Sequence, residues 1–242
     1  SSKAMKKSDN SEVKIGASES MSKSKKNTID PETMIKEYGA DAVRWFILSD
    51  SPPEKDIQWS DTGVSSANKF LQKIWNLNHS VLSRKEKKND QETQDKFNFK
   101  VEIHASKIDK SINNFQLNVA IAQFYELYKH FNDALILEIS NEALKKGLAK
   151  LMRLMIPFTP HLAFECLTKM KHDKFNSWPK INETLINKAK INMVIQINGK
   201  TRDVIQTKKD LKEKEITDLI KEKSKAKKYF VDKKVLKTIY IK

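Results

Sequence analysis

The sequence has few of the residues that build disulfide frameworks, metal clusters and tight nucleotide-binding turns. Among 242 residues there are five glycines, six prolines and one cysteine, Cys166. A single cysteine excludes an intrachain disulfide and a multi-cysteine zinc site, and it is consistent with a reducing compartment. No apolar run approaches the ~18 residues that span a bilayer, and the first residues lack a signal-peptide core. We therefore expect a cytoplasmic protein that makes no membrane contact.

Arginine is also scarce, because only four of the 46 basic residues are arginine. The formal net charge is nevertheless +15, although a lysine-rich composition by itself explains part of that excess. Positive potential attracts phosphates whatever its origin, so the charge favours a nucleic-acid partner. The excess is concentrated near the C-terminal end, where residues 191–242 carry fifteen Lys and Arg against seven Asp and Glu, a net charge of +8.

Helical periodicity dominates the middle of the chain. Residues 1–19 are polar and without an apolar period, so we expect a loop there. Asp30 followed by Pro31 is typical of a helix start, and Gly39 should separate two short helices. The spacing of apolar residues predicts helices over 31–38, 40–48, 64–81, 97–113, 116–136, 144–155 and 161–170, with a charged loop over 84–94. Adjacent amphipathic helices with short connections predict an antiparallel bundle.

The periodicity changes from helical to alternating at Ile191. Residues 191–197 alternate apolar and polar side chains, which is typical of a half-buried strand. Asn198-Gly199 is a favoured hairpin turn, so we predict a return strand over 201–207. A charged helix over 211–223 and a third strand over 235–241 would complete a small α+β domain. Residues 181–190 are the expected linker to it.

One loop carries a dense set of groups that could hold a polyphosphate. Residues 21–27 include three ammonium groups, on Lys23, Lys25 and Lys26, and two serine hydroxyls directly before the first helix. Fixed positive charges stabilise the negative charge that develops in transfer at phosphorus. In so lysine-rich a chain, however, the same residues could equally form a solvated linker.

The surrounding residues favour the phosphate interpretation. Ser20-Met21-Ser22-Lys23-Ser24 resembles the Lys-Met-Ser-Lys-Ser signature loop of class I aminoacyl-tRNA synthetases. Four later segments resemble the leucyl members of bacterial type: residues 38–44, residues 51–56 with Trp59 and Gly63, residues 157–161, and residues 194–202. The resemblance extends over about residues 11–241. The isoleucyl enzyme would be expected to end in a cysteine-ligated zinc module and the valyl enzyme in a coiled coil. This chain has one cysteine and ends in segments with strand-like alternation, so the resemblance to the leucyl enzymes is preferred.

The resemblance implies a mostly α fold with a defined domain order. Residues 1–50 would be the signature loop and a helical remnant of the catalytic domain. Residues 51–180 would be an antiparallel helix bundle of anticodon-binding type. Residues 181–190 would be a linker, and residues 191–242 a small, basic C-terminal α+β domain. Because the chain has no His-Ile-Gly-His motif, we expect it to be the C-terminal part of a synthetase and to be inactive alone. We also expect it to be monomeric.

The resemblance also implies a reaction and its residues. ATP and leucine would form leucyl-adenylate with Mg²⁺, and the leucyl group would then pass to tRNA(Leu). Lys23 would be the catalytic cation, within an ATP-binding set of Met21, Ser22, Lys23, Ser24 and Lys25. Ser20 replaces the first lysine of the signature, so that contact is missing unless Lys25 or Lys26 substitutes. The family's tRNA contacts would fall on Lys69, Lys73, Lys200 and Arg202, and no metal ligands have suitable spacing.

Other interpretations of these residues remain open. Lys69 and Lys73 could lie on an ordinary solvated helix face, and Lys200 and Arg202 could be exposed strand residues. The chain could also be a stand-alone RNA-binding module, or it could belong to a methionyl or valyl enzyme. Four further residues are expected to serve packing rather than chemistry: Trp45, Trp59, Trp75 and Cys166.

Overall fold

The computed structural model describes residues 4–171, 177–188, 190–208, 211, 213–230 and 238–239. The helices in these ranges are α1 (Pro31–Tyr38), α2 (Ala40–Asp50), α3 (Asp61–Ser83), α4 (Gln91–Asn113), α5 (Leu117–Ala134), α6 (Asn141–Met155), α7 (Pro160–Lys169), α8 (Glu183–Lys188) and α9 (Glu213–Lys223). The strands are β1 (Ala4–Met5), β2 (Glu12–Val13), β3 (Lys190–Ile197) and β4 (Lys200–Lys208), and a 3-10 helix spans Lys225–Tyr229. The predicted mostly α fold is confirmed.

Side-chain caps explain where several of these helices begin. The Asp30 carboxylate accepts hydrogen bonds from two backbone N–H groups of α1, and Pro31 occupies the first helical position. Ser60 caps α3, Asp90 caps α4 and Ser140 caps α6 in the same way. α1 starts where it is predicted, whereas α3 and α6 start three residues and α4 six residues earlier than their apolar periodicity predicts. α4 in particular begins inside the segment expected to be a loop.

The bundle core is built around an aromatic cluster centred on Trp45 of α2. Its ring lies 5.1 Å from Phe70 of α3, 5.7 Å from Phe124 of α5 and 6.2 Å from Phe158, between ring centres. Trp45 Nε1 donates to the Tyr125 hydroxyl at 3.1 Å, which satisfies its polar atom. Trp45 is fully buried, so its predicted core role is confirmed. The cluster joins α2 to the bundle.

Small residues allow helices to approach closely at one point of this core. A Cβ atom on Gly63 would lie 2.5 Å from Cε2 of Phe46, whose ring is buried and packs edge-on against Trp59. Contacts this short are not tolerated in a packed interior. A glycine at the start of α3 therefore lets α2 and α3 pack together, and α3 in turn packs against α5, α6 and α7.

The C-terminal hairpin has the predicted turn and register. β3 and β4 are antiparallel, and Ile197 pairs with Lys200 across Asn198 and Gly199. Both turn residues have positive φ, 52° and 74°, which is the geometry that favours Asn-Gly. Ile195 is buried whereas Val194 is 55% exposed, so the predicted alternation is confirmed. The third strand predicted over 235–241 lies outside the described residues, apart from residues 238–239.

Two segments differ from their expected form. Residues 1–19 were predicted to be a loop, but β1 and β2 pair as a short hairpin, in which the Asp9 carboxylate accepts from the backbone N–H of Ser11 at 3.0 Å. Residues 181–190, the expected linker, contain α8, whose Ile186 is buried. The backbone N–H of Asn182 donates to Glu102 of α4 at 2.9 Å, which holds this segment against the bundle. No helix among the described residues is long and apolar enough to span a membrane.

Candidate phosphate loop and RNA-binding surfaces

The signature loop is a turn closed by its own side chains. Asn27 accepts a hydrogen bond from the Ser22 backbone N–H at 2.8 Å and donates to the Ser20 carbonyl at 3.3 Å. The Ser22 hydroxyl accepts from the Lys25 N–H at 3.3 Å and lies 3.2 Å from the Ser24 hydroxyl. These bonds order the backbone of residues 20–27 without using the ammonium groups of the loop.

The three lysines of the loop are not equivalent. Lys25 Nζ lies 2.6 Å from a carboxylate oxygen of Glu19, so its charge is already paired. Lys23 and Lys26 are exposed and form no ion pair with any residue that the structure describes. Lys23 is therefore free to meet an anion, whereas Lys25 would first have to leave Glu19 before it could replace the lysine missing at Ser20.

The helix after the loop contributes little free hydrogen-bonding capacity. The Asp30 carboxylate occupies the N–H groups of Glu32 and Thr33, both at 3.2 Å. The Thr33 hydroxyl and these backbone groups stabilise the carboxylate and lower the pKa of Asp30. A phosphate near this loop would consequently be held by lysine ammonium groups rather than by the N-terminus of α1.

Beyond its first residue, Asp61, the exposed face of α3 is cationic and contains no carboxylate. Lys69 and Lys73 are exposed one turn apart, and residues 62–85 include no Asp or Glu. One lysine on each of α1, α4 and α7 pairs with a glutamate four residues earlier: Lys36 with Glu32, Lys96 with Glu92, and Lys169 with Glu165. Lys69 and Lys73 form no ion pair with the described residues. Their side of α3 therefore presents uncompensated positive charge.

The second predicted pair lies beside the C-terminal hairpin turn. Lys200 pairs with Ile197 at the start of β4, and Arg202 follows two residues later. Both side chains are exposed. The Arg202 guanidinium lies 4.7 Å from the ring centre of Tyr229 in the 3-10 helix. The structure thus places the four predicted RNA contacts in two locations, one on the bundle and one on the hairpin.

Two segments that are far apart in sequence meet where α2 contacts α7. The carboxylate of Asp41 accepts from the backbone N–H of Leu162 at 2.7 Å and lies 2.9 Å from His161 Nδ1. Arg44 donates to the carbonyls of Pro157 and Phe158 at 2.6 and 3.3 Å. Sequence reasoning singled out both segments but missed their contact. A carboxylate within an otherwise apolar helix was the available indication of a buried partner.

The surroundings of Cys166 and Trp75 give neither side chain a chemical role. Cys166 is fully buried, and burial raises the pKa of its thiol to about 12, so it carries no thiolate at neutral pH. Trp75 is 38% exposed and lines a shallow groove with Phe164 and His161. No group of three His, Cys, Asp or Glu side chains among the described residues is arranged to bind a metal ion.

Comparison with protein families identifies the bundle. Residues 96–217, half of the chain, match the anticodon-binding domain of tRNA ligases. The chain belongs to this family. Residues 12–60, which contain the signature loop, α1 and α2, match the class I tRNA synthetases for isoleucine, leucine, methionine and valine. The two matched segments contribute to the same core, because Trp45 of α2 lies in the second match and packs against Phe124, which lies in the first.

The relatives of this anticodon-binding domain favour the leucyl branch. The chain is 36% identical over 234 residues to the leucine–tRNA ligase of Thermosipho melanesiensis, covering 92% of this chain and 28% of the relative. It is 37% identical to that of Neorickettsia sennetsu, covering 95% of this chain and 26% of the relative. The predicted resemblance to leucyl enzymes is confirmed. The chain spans just over a quarter of the length of these relatives.

A solved structure has the same fold as most of this chain. The ternary complex of Agrobacterium radiobacter K84 agnB2 LeuRS with tRNA and LeuAMS superposes with a TM-score of 0.74 at 24% identity. The match covers 91% of this chain and 29% of that one. It therefore extends beyond the helix bundle and supports the fold of most of the chain.

Proposed function

We propose that this chain is the part of a leucine–tRNA ligase that carries the signature loop and binds tRNA(Leu) in the cytoplasm. The reaction served would be activation of leucine by ATP, followed by transfer of the leucyl group to the tRNA. The similarity to leucine–tRNA ligases along nearly the whole chain supports this function over a stand-alone RNA-binding module. The class I match at residues 12–60 supports a connection to a catalytic domain.

The carboxylate-free face of α3 is the observation that carries the RNA-binding part of the proposal. An acidic side chain one helical turn away can compensate the charge of a solvated lysine, as it does for Lys36, Lys96 and Lys169. Lys69 and Lys73 have none within 62–85. Removing carboxylates from a face raises its affinity for phosphates and lowers its affinity for proteins of mixed charge. RNA backbone is the partner that fits this face.

In the signature loop, Lys23 is assigned the catalytic contact with the ATP phosphates. Its ammonium group would neutralise charge that develops as pyrophosphate leaves, in a turn ordered by Ser22, Ser24 and Asn27. Met21 and Lys25 complete the ATP-binding set, with Lys25 available once it releases Glu19. The Mg²⁺ expected with ATP has no suitable cluster among the described residues, so we assign it no step on this chain.

The RNA-binding proposal is tested by measuring tRNA affinity of the 242-residue chain at several salt concentrations. Lys69→Ala/Lys73→Ala should weaken binding and reduce the slope of log affinity against log salt by about 0.7 to 0.9 for each phosphate that is no longer neutralised. The matched control is Lys36→Ala/Lys96→Ala, which removes the same charge from lysines paired with glutamate. That control should retain the wild-type slope.

Two results would contradict the proposal. Equal effects of the two double variants would show that only net charge matters, and no face of the bundle would then be an RNA site. Absence of tRNA binding by the wild-type chain at low salt would remove the RNA-binding function from this chain altogether.

A further inference from the structure

The ring of Tyr229 is shared by two cations in the C-terminal unit. Arg202 Cζ lies 4.7 Å and Lys228 Nζ lies 5.4 Å from the ring centre. The ring is half-buried, whereas both cationic side chains are exposed. A guanidinium held on an aromatic face keeps its charge, and stacking limits the orientations that its N–H groups can adopt. Arg202 is therefore more ordered than a free surface arginine.

Asp203 fixes the 3-10 helix to the strand that carries Arg202. One of its carboxylate oxygens accepts from the Ser224 hydroxyl at 2.6 Å and from the Lys225 N–H at 2.7 Å. The other accepts from the Val204 N–H at 2.9 Å. These hydrogen bonds lower the pKa of Asp203, with the Ser224 hydroxyl contributing most. The negative charge is thus used to cap the 3-10 helix and to hold Tyr229 beside β4.

The surface around this ring is strongly basic. Residues 221–229 contain five lysines and one glutamate. Lys225, Lys227 and Lys228 are all exposed at the 3-10 helix, and Lys228 shares the Tyr229 ring with Arg202. An ordered guanidinium among several ammonium groups suits phosphate, because its paired N–H groups match two phosphate oxygens while the lysines add unspecific charge.

We propose that Arg202 and Lys228, ordered by Tyr229 and Asp203, form a phosphate-binding site for the RNA backbone. Tyr229 and Asp203 are positioning residues, because they act by holding the cations rather than by contacting the RNA. The inference rests on the proposed RNA-binding function and specifies one of its contacts. It also adds a partner to the pair predicted from sequence, Lys200 and Arg202 of β4. Arg202 lies beside Lys228 of the 3-10 helix, because both contact the ring of Tyr229.

The test compares two substitutions that alter the stacking but keep the charge, Tyr229→Leu and Arg202→Lys, with one that keeps the ring and one that removes the cation. Affinity of the full chain for tRNA is measured against salt for Tyr229→Leu, Tyr229→Phe, Arg202→Lys and Arg202→Ala. Tyr229→Leu and Arg202→Lys should each weaken binding about fivefold, the scale of one cation–π contact. Arg202→Ala should also reduce the salt slope by about 0.7 to 0.9, because one phosphate is no longer neutralised, whereas Tyr229→Leu and Arg202→Lys keep the cation and should change the slope less. Tyr229→Phe keeps the ring and should bind within about twofold of wild type.

A double-mutant cycle separates positioning from a merely structural effect. Arg202→Ala should cost much less affinity in the Tyr229→Leu background than in wild type, because the arginine is already misplaced there. Equal costs in both backgrounds would overturn the proposal, as would wild-type affinity for both Tyr229→Leu and Arg202→Lys. If those two variants bind normally while Lys69→Ala/Lys73→Ala has a reduced salt slope, only this inference fails. If the wild-type chain binds no tRNA, the proposed function fails with it.

Discussion

Asp41 is expected to stabilise the contact between α2 and α7 mainly by capping α7. Thr159 precedes α7 but makes no side-chain cap, and Pro160 occupies the first helical position. The Asp41 carboxylate, on another helix, accepts from the Leu162 N–H instead, at 2.7 Å. Its side chain is only 10% exposed, so removing it leaves a backbone donor with little access to water.

The size of the effect follows from these surroundings. Removal of a helix cap, or of a partner for a buried donor, costs about 1 to 3 kcal/mol, so Asp41→Ala should lower the free energy of unfolding by about 2 kcal/mol. The other partner, His161, is 77% exposed, and its pairing with Asp41 should contribute less than about 1 kcal/mol. Asp41→Asn keeps one carbonyl oxygen that can accept from the Leu162 N–H, so its cost should lie between those of Asp41→Ala and His161→Ala.

Urea unfolding followed by far-ultraviolet circular dichroism measures these differences, because helices dominate the signal. The matched pair is Asp41→Ala and His161→Ala, which remove opposite partners of the same contact. The predicted order is a large decrease in stability for the aspartate variant and a small decrease for the histidine variant, with little added decrease in the double variant. Equal decreases for the two single variants would refute the capping argument and assign the contact to the ion pair.

Two other perturbations test the phosphate loop and the bundle interior. In a leucine–tRNA ligase containing this chain, Lys23→Ala should slow leucine-dependent ATP–pyrophosphate exchange about 100-fold, the effect of one preorganised charge, and Lys25→Ala should slow it less because Glu19 already pairs with Lys25; similar rates for both variants would contradict the assignment. Burial lowers the pKa values of His104 and His130, so the unfolded chain protonates first as the pH falls below about 6.5, and the free energy of unfolding should decrease from there until the folded-state pKa values are passed. Urea unfolding at pH 7.5 and 5.5 measures how much the free energy of unfolding decreases between the two pH values. This decrease should be smaller for His104→Gln/His130→Gln than for wild type, and an equal decrease would show that these histidines do not cause it.

Features determined by neighbouring residues could be predicted from the sequence. Asp30 before Pro31 forms the expected cap, and Asn198-Gly199 forms the expected turn with both residues at positive φ. The alternation in β3 places Ile195 inside and Val194 outside. Each of these outcomes depends on backbone preference or on one periodic face, so short windows of sequence contain the necessary information.

Contacts between distant segments could not be predicted in this way. Arg84 lies in a segment expected to be a charged loop, yet its guanidinium donates to the carbonyls of Leu135, Leu137 and Ile139. These carbonyls lie in the connection between α5 and α6, where no helix supplies regular donors, so a single arginine satisfies three of them. Composition shows that an arginine is present there, but only the fold shows which carbonyls it meets.

In the phosphate loop, the sequence shows which lysines are present but not which of them are paired. The sequence resemblance makes Lys23 the catalytic cation and leaves Lys25 or Lys26 as a possible substitute for the missing lysine, but it does not show that Glu19 pairs with Lys25 and leaves Lys23 free. Glu19 lies only six residues from Lys25, but nothing in the spacing shows that the turn closed by Asn27 brings the two charges together. Which lysine can meet a phosphate is therefore a property of the folded turn rather than of the motif.

The position of this loop relative to the bundle depends on contacts that lie outside it. α2 follows the loop by way of α1, and Arg44 of α2 donates to the carbonyls of Pro157 and Phe158 between α6 and α7. On the opposite side, the close approach of Phe46 to Gly63 joins α2 to α3, which carries Lys69 and Lys73. The loop helices and the cationic face are thus held to one packed core. Under the proposed function, a tRNA bound on α3 would lie at a defined position relative to α2, because α2 packs directly into the core that supports α3.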